Sequence, residues 1–170
     1  MSRLRGGFER LLEWIVIALM ITLFIEVTVG VLFRTIGLSL AWYDEVASVM
    51  LAWLTFYGSA LAALKRAHIG FPGLVNSLQP AWRLSLLIVT EVLVIGFFAL
   101  LGWVGFSILE VLETDHLVSL PWVTIAWTQS AIPVSAVLVI LAELSNLPQM
   151  MREARGLVAS GASDLAEMTH

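Results

Sequence analysis

Four long apolar runs dominate the chain. They cover 14–33, 46–64, a stretch within 84–109, and 122–142. A bilayer core about 30 Å thick needs about 20 helical residues to cross it. Each run meets that length, and the third exceeds it, so it is expected to tilt or project. Helices are the expected element, because backbone groups in lipid must bond within their own segment. The pattern therefore predicts an all-α integral membrane protein with four transmembrane helices.

Composition agrees. Hydrophobic residues make up 59% of the 170 residues, charged residues 13%, and mean hydropathy is +0.93. A soluble domain carries about 25% charged residues, so a water-soluble bundle with an oversized core is the poorer account. Net charge is -4, which offers no basic footprint for nucleic acid. The absence of cysteine excludes disulfides and thiolate chemistry. The opening MSRLRGGFERLLEW is basic and leads into a run of full spanning length with no clean cleavage site, so it reads as a retained signal-anchor helix.

The basic residues fix an expected orientation. Arg3, Arg5, Arg10, Lys65, Arg66, Arg83, Arg152 and Arg155 fall on one side of the four runs, and Arg34 alone falls on the other. The positive-inside rule places both termini and the middle loop in the cytoplasm. Asp44, Glu45, Glu110, Glu113, Asp115 and His116 then face outward. Trp14, Trp42, Trp82, Trp122 and Trp127 sit near run ends, where amphipathic rings are favoured, while Trp53 and Trp103 lie deeper and read as packing residues. Residues 1–150 read as one four-helix membrane domain. The polar, small-residue tail 151–170 reads as a short cytoplasmic segment, helical or disordered.

The second run carries a pattern of its own. Glu45, Ser48, Ala52, Thr55, Ser59, Ala62 and Arg66 recur at alternating threes and fours, so they share one helix face. All but the two end residues are small, and Gly58 with Ala62 adds a small pair at i,i+4. Small residues let membrane helices approach closely. The charges at the two ends have two readings. Acid at the N-terminus and base at the C-terminus suit the helix dipole and orient the helix. Alternatively Glu45, Arg66 and His68 pair with another polypeptide or with lipid headgroups.

Glu26 and Glu91 lie inside the first and third runs. Carboxylates at such positions need pairing, hydrogen bonds or protons. Thr22, Thr28 and Thr90 are close enough in sequence to serve as local partners. Pro133 predicts a kink in the fourth run, and Pro121 suits its start. No HExxH, GxSxG or Walker pattern occurs, and His68, His116 and His170 form no spaced ligand set. No catalytic, cofactor or metal site is expected. No run shows the broken, glycine-rich pattern of a substrate site. A packing subunit is favoured over an enzyme, over an assembly factor, and over a self-sufficient oligomeric transporter that would use Glu26 or Glu91.

Several motifs together resemble a known family. Trp42-Tyr43-Asp44-Glu45 is followed by Trp53, Gly58, Ala62, Arg66 and His68, and later by Ser119-Leu120-Pro121 and Ile132-Pro133. Their order resembles the DctQ-like small membrane subunit of tripartite ATP-independent periplasmic (TRAP) transporters, over roughly 8–150. The resemblance implies a separate, non-catalytic scaffold subunit in a bacterial inner membrane. Its partners would be a large polytopic DctM-like transport subunit, a periplasmic DctP-like solute-binding protein, and membrane phospholipids. It implies uptake of organic acids driven by an ion gradient, commonly sodium, with the large subunit moving as an elevator. Trp42, Glu45, Arg66 and His68 would be interface, lipid-contact or orienting residues. Surface-lying segments between helices are also implied, with 38–44 and 71–82 as the candidates. Glu26 and Glu91 belong to no family motif.

Overall fold

The computed structural model describes residues 2–38, 40–66 and 80–167, with backbone only at 2–4, 80, 81, 83 and 153–167. Its elements are α1 (Ser2–Thr35), α2 (Tyr43–Leu64), α3 (Pro80–Val111), α4 (Ile125–Gln129) and α5 (Ala131–Glu167). α1, α2, α3 and the first part of α5 with α4 are each long and apolar enough to cross a membrane. His68, His170 and the segment 71–79 lie outside the described residues.

The helix ends follow local chemistry. α1 stops in a Schellman turn: Leu38 N donates to Phe33 O, and Gly37 N to Arg34 O. Gly37 has φ +79°, the left-handed conformation this motif requires and glycine adopts without a Cβ penalty. Within 36–42 the described residues form turn and bend. α2 carries Asp44 and Glu45 in its first turn, where acids suit the dipole. α2 closes with Lys65 N donating to Leu61 O, followed by Arg66 at φ 53°.

The neighbours run in the order α1, α2, α5, α3. α1 and α3 run antiparallel to the helix beside each, whereas α2 and α5 lie side by side and run the same way. No substantial packing joins α1 to α3 among the described residues. The four spans thus form a row and not a closed barrel of helices. α2 and α5 are the inner members. α1 and α3 form the edges and expose large apolar side chains along most of their length, including Phe24, Leu32, Leu93, Phe97 and Leu100.

What packs inside is small. α5 buries Ala131, Ser135, Val139, Ala142 and Asn146 at helical spacing. Against them lie Ala60, Ala63 and Leu64 of α2 and Leu12 of α1, with Phe8, Tyr57, Leu61, Phe98 and Leu138 around the cluster. A Cβ added at Gly102 of α3 would sit 3.2 Å from that of Ala136. One added at Gly105 would sit 3.2 Å from Cδ of Pro133. Lipid supplies no hydrophobic drive between helices, so close backbone approach and dispersion hold this row together.

Three expectations need correction. Pro133 does not kink a continuous fourth helix. The run is broken at Ser130, and Pro133 occupies the first turn of α5, where its missing N–H costs nothing. Pro121 starts no helix, because it lies in a turn and α4 begins at Ile125. Trp103 does not pack within the chain: it is 76% exposed on the outward side of α3. At the C-terminal end, α5 runs unbroken through the polar tail to Glu167.

Candidate functional site

At the N-terminal end of α2, Glu45 reaches across to the loop between α3 and α4. Its Oε1 accepts from Val118 N at 3.1 Å, and its Oε2 from Ser119 N at 2.9 Å and from the Ser119 hydroxyl. That loop is an ordered hairpin: Leu117 N donates to Val123 O, Ile125 N to Asp115 O, and Val123 N to Leu120 O. Glu45 therefore pins the tip of that loop. The Trp-Tyr-Asp-Glu motif and the Ser-Leu-Pro motif, 73 or more positions apart, meet here.

A second joint lies one to two turns deeper. Trp53 Nε1 donates to Thr128 O at 2.7 Å, at the break between α4 and α5. Its ring packs on Tyr57 and Trp127, with centroids 6.0 and 5.2 Å away. An interrupted membrane helix frees carbonyls that need donors, and the indole supplies one. Trp127 also lines a shallow cleft with Trp122, Val123 and Thr124. Near the same end, Tyr43 lies on Gly30 of α1, where an added Cβ would come 2.7 Å from the ring Cγ.

The opposite end carries a clamp on the C-terminus of α2. Asn146, 0% exposed, donates from Nδ2 to Ala63 O at 2.9 Å and to Leu64 O at 3.3 Å. Arg5 donates to Leu64 O at 3.4 Å and to Gln149 Oε1 at 3.3 Å. Lys65 pairs with Glu13 and, at 3.8 Å, with Glu9 of α1. The hydrogen bond that Lys65 donates to Glu13 holds its ammonium above the usual 10.5; desolvation opposes this, and the charges of Glu13 and Glu9 add to it. This tie is intact below the ordinary lysine value and is lost only as pH rises through the raised one.

The sequence places the close-packing stripe on α2, and the structure shows two stripes. The one the chain buries lies on α5, at Ala131, Ser135, Val139, Ala142 and Asn146. The same three-and-four stepping applied to the fourth run finds it. α2 turns Tyr57, Ala60 and Leu64 inward. Its own small-residue stripe is left outside: Ser48, Ala52 and Thr55 are exposed, and Gly58, Ser59 and Ala62 are half-buried. A Cβ at Gly58 would meet nothing within 4 Å. The Ser48 and Thr55 hydroxyls donate to their own helix, at Asp44 O and Leu51 O. Trp42 and Arg66 are exposed at the two ends of α2.

The buried acids are not satisfied by the neighbouring threonines. Thr22 donates to Ala18 O, Thr28 to Phe24 O, and Thr90 is exposed. Both carboxylate oxygens of Glu26 and one of Glu91 are buried without a hydrogen-bond partner. Among the described residues no three His, Cys, Asp or Glu side chains gather as a metal set.

Taken together, these sites are joints, and nothing in them is arranged for bond-making chemistry. The family described as "Tripartite ATP-independent periplasmic transporters, DctQ component" matches residues 23–153. The chain belongs to the DctQ family. No curated protein matches it. As a DctQ component it is a multi-pass membrane protein and part of a TRAP transporter. Glu45, Trp53 and Ser119, which carry the family resemblance in sequence, fasten α2 to the α3–α4 hairpin and to the α4–α5 break, and Pro133, from the same set, lies against Gly105 of α3.

Proposed function

We propose that this DctQ chain is the fixed scaffold of its transporter, offering the outward stripe of α2 to a large polytopic transport subunit. The observation that carries this reading is the stripe itself. Ser48, Ala52, Thr55, Gly58, Ser59 and Ala62 have the small side chains of a close helix contact, and among the described residues none of them is buried by another helix. Trp42, Glu45 and Arg66 flank it, with His68 next in sequence after Arg66 and Ala67, and Glu45 acts indirectly by fixing the loop beside it. The row of helices encloses no path of its own, which weighs against a self-sufficient transporter built on Glu26 or Glu91. Solute and coupling ion are then handled by the large, elevator-like DctM subunit, fed by a periplasmic DctP-like binding protein. Organic acids are the substrate class and sodium the coupling ion by family likeness. The eight-to-one distribution of basic residues supports an inner-membrane orientation with both termini in the cytoplasm.

The test is capture of the large subunit from solubilised membranes by this chain. Ala52→Trp and Ser59→Trp are expected to abolish capture, because bulk prevents close approach. Leu54→Trp is expected to reduce it less. Equal capture by all three would refute the facial assignment. Ion-driven uptake by the purified chain alone in liposomes would refute the scaffold reading.

A further inference from the structure

Two buried acceptors near the basic end of the bundle find no donor among the described residues. Glu91 on α3 is 7% exposed, and its Oε1 is buried without a partner. Asn146 on α5 is fully buried, and its Oδ1 is also without a partner, because only its Nδ2 is used, on α2. The contacts of Gly102 with Ala136 and Gly105 with Pro133 fix the antiparallel register of α3 against α5. From Gly102 down to Glu91, and from Ala136 along to Asn146, both helices advance about 15 Å in the same direction. Glu91 and Asn146 thus lie at one height. Glu143, one turn away on α5, adds a like charge to Glu91.

Two cations of the neighbouring elements are engaged elsewhere. Lys65 is held by Glu9 and Glu13 of α1, and Arg5 by Gln149 and the end of α2. α4 lies at the far end of α3 and carries no titratable side chain. A carboxylate and an amide oxygen are both acceptors and cannot satisfy each other. A buried carboxylate with an unpartnered oxygen is costly. The level is also close to water. Asn146 clamps the last turn of α2, whose 22 residues span about 33 Å, so the site lies at the basic-end edge of the membrane core.

We infer that Glu91 is a proton-binding site, held as the neutral acid, whose hydroxyl supplies the donor this level lacks and latches α3 to the joint between α5 and α2. The proton comes from water at the basic end and returns there, and no other bond changes. Loss of the proton places a second negative charge beside Glu143 and loosens α3, an edge helix that holds the row through α5 and the short α4.

The experiment is infrared spectroscopy of the full chain in phospholipid bilayers, read at the carbonyl stretch of protonated carboxylic acids. At neutral pH the wild type is expected to show a band that Glu91→Gln removes and Glu26→Gln leaves. If Glu91→Gln removes carboxylate absorption instead, the side chain is ionised and the inference fails. The melting temperature of the wild type is expected to fall as pH rises and the band disappears, while that of Glu91→Gln, which keeps a donor, stays level over the same range. Should Glu91→Gln not accumulate, the wild type alone decides: loss of the band without a drop in melting temperature overturns the latch. Loss of the band on adding sodium at fixed pH would also overturn it, because a cation would then be the occupant.

Discussion

Two single residues set the geometry at the acidic end, and each makes a distinct prediction. The Glu45 carboxylate holds Val118 N, Ser119 N and the Ser119 hydroxyl at once. Solvent competes for these bonds, because Val118 is exposed, so the joint orders the loop more than it stabilises the fold. Glu45→Ala is expected to speed amide exchange at 117–120 while leaving exchange within α2 unchanged. Exchange that rises equally along α2 would mean that Glu45 serves the helix and not the loop. Gly30 acts by being absent. Any Cβ there enters the ring of Tyr43, so Gly30→Ala is expected to destabilise the chain by about 1–3 kcal/mol. The double variant Gly30→Ala, Tyr43→Ala should recover part of that loss in a thermal melt. Gly58→Ala meets open space within the chain and should melt as the wild type does. Its effect, if the stripe is an interface, appears only in capture of the large subunit.

At the scale of elements, the break between α4 and α5 is where sequence and structure part. Four apolar runs of spanning length were legible because lipid imposes length and composition directly. Pro133 was legible as a disturbance but not as a beginning. A proline reads as a kink or as a first-turn residue depending on whether a helix precedes it, and that is decided by contacts from elsewhere in the chain. Here the contact is Trp53, whose indole donates to Thr128 O just before the break. The buried stripe of α5 was equally present in the sequence, at Ala131, Ser135, Val139, Ala142 and Asn146. It stayed hidden because Ser135 and Asn146 are the only polar members, so it lacks the charged ends that draw the eye to α2. Trp53→Phe keeps the ring stack and removes the donor. It is expected to cost about 1–3 kcal/mol through the orphaned carbonyl and to leave the helix content by circular dichroism unchanged. An unchanged melting temperature would show that the break is held by ring packing alone.

The order of helices decides what the whole molecule can do. A closed bundle of four would turn Glu26 and Glu91 toward one shared axis and give a solute somewhere to pass. A row places them in different interfaces: Glu26 lies on α1, which packs on α2, and Glu91 on α3, which packs on α5. It also leaves two broad apolar faces on the edge helices, which the proposed scaffold role would use. The chain has no native cysteine, so the order can be read by engineered pairs. Gly102→Cys with Ala136→Cys brings Cβ positions to 3.2 Å, near the roughly 3.5–4.5 Å of a disulfide, and is expected to cross-link within one chain. Ile21→Cys with Leu93→Cys joins the exposed faces of the two edge helices and is expected not to cross-link within one chain, in bilayers or in the assembled complex. The first pair controls for reactivity and the second for closure. Efficient intrachain cross-linking of the second pair would mean that α1 and α3 meet, that the row closes, and that Glu26 and Glu91 share an interior. The case for a scaffold would then lose its geometric support, because the chain would possess the enclosed polar path that its helix order now denies it.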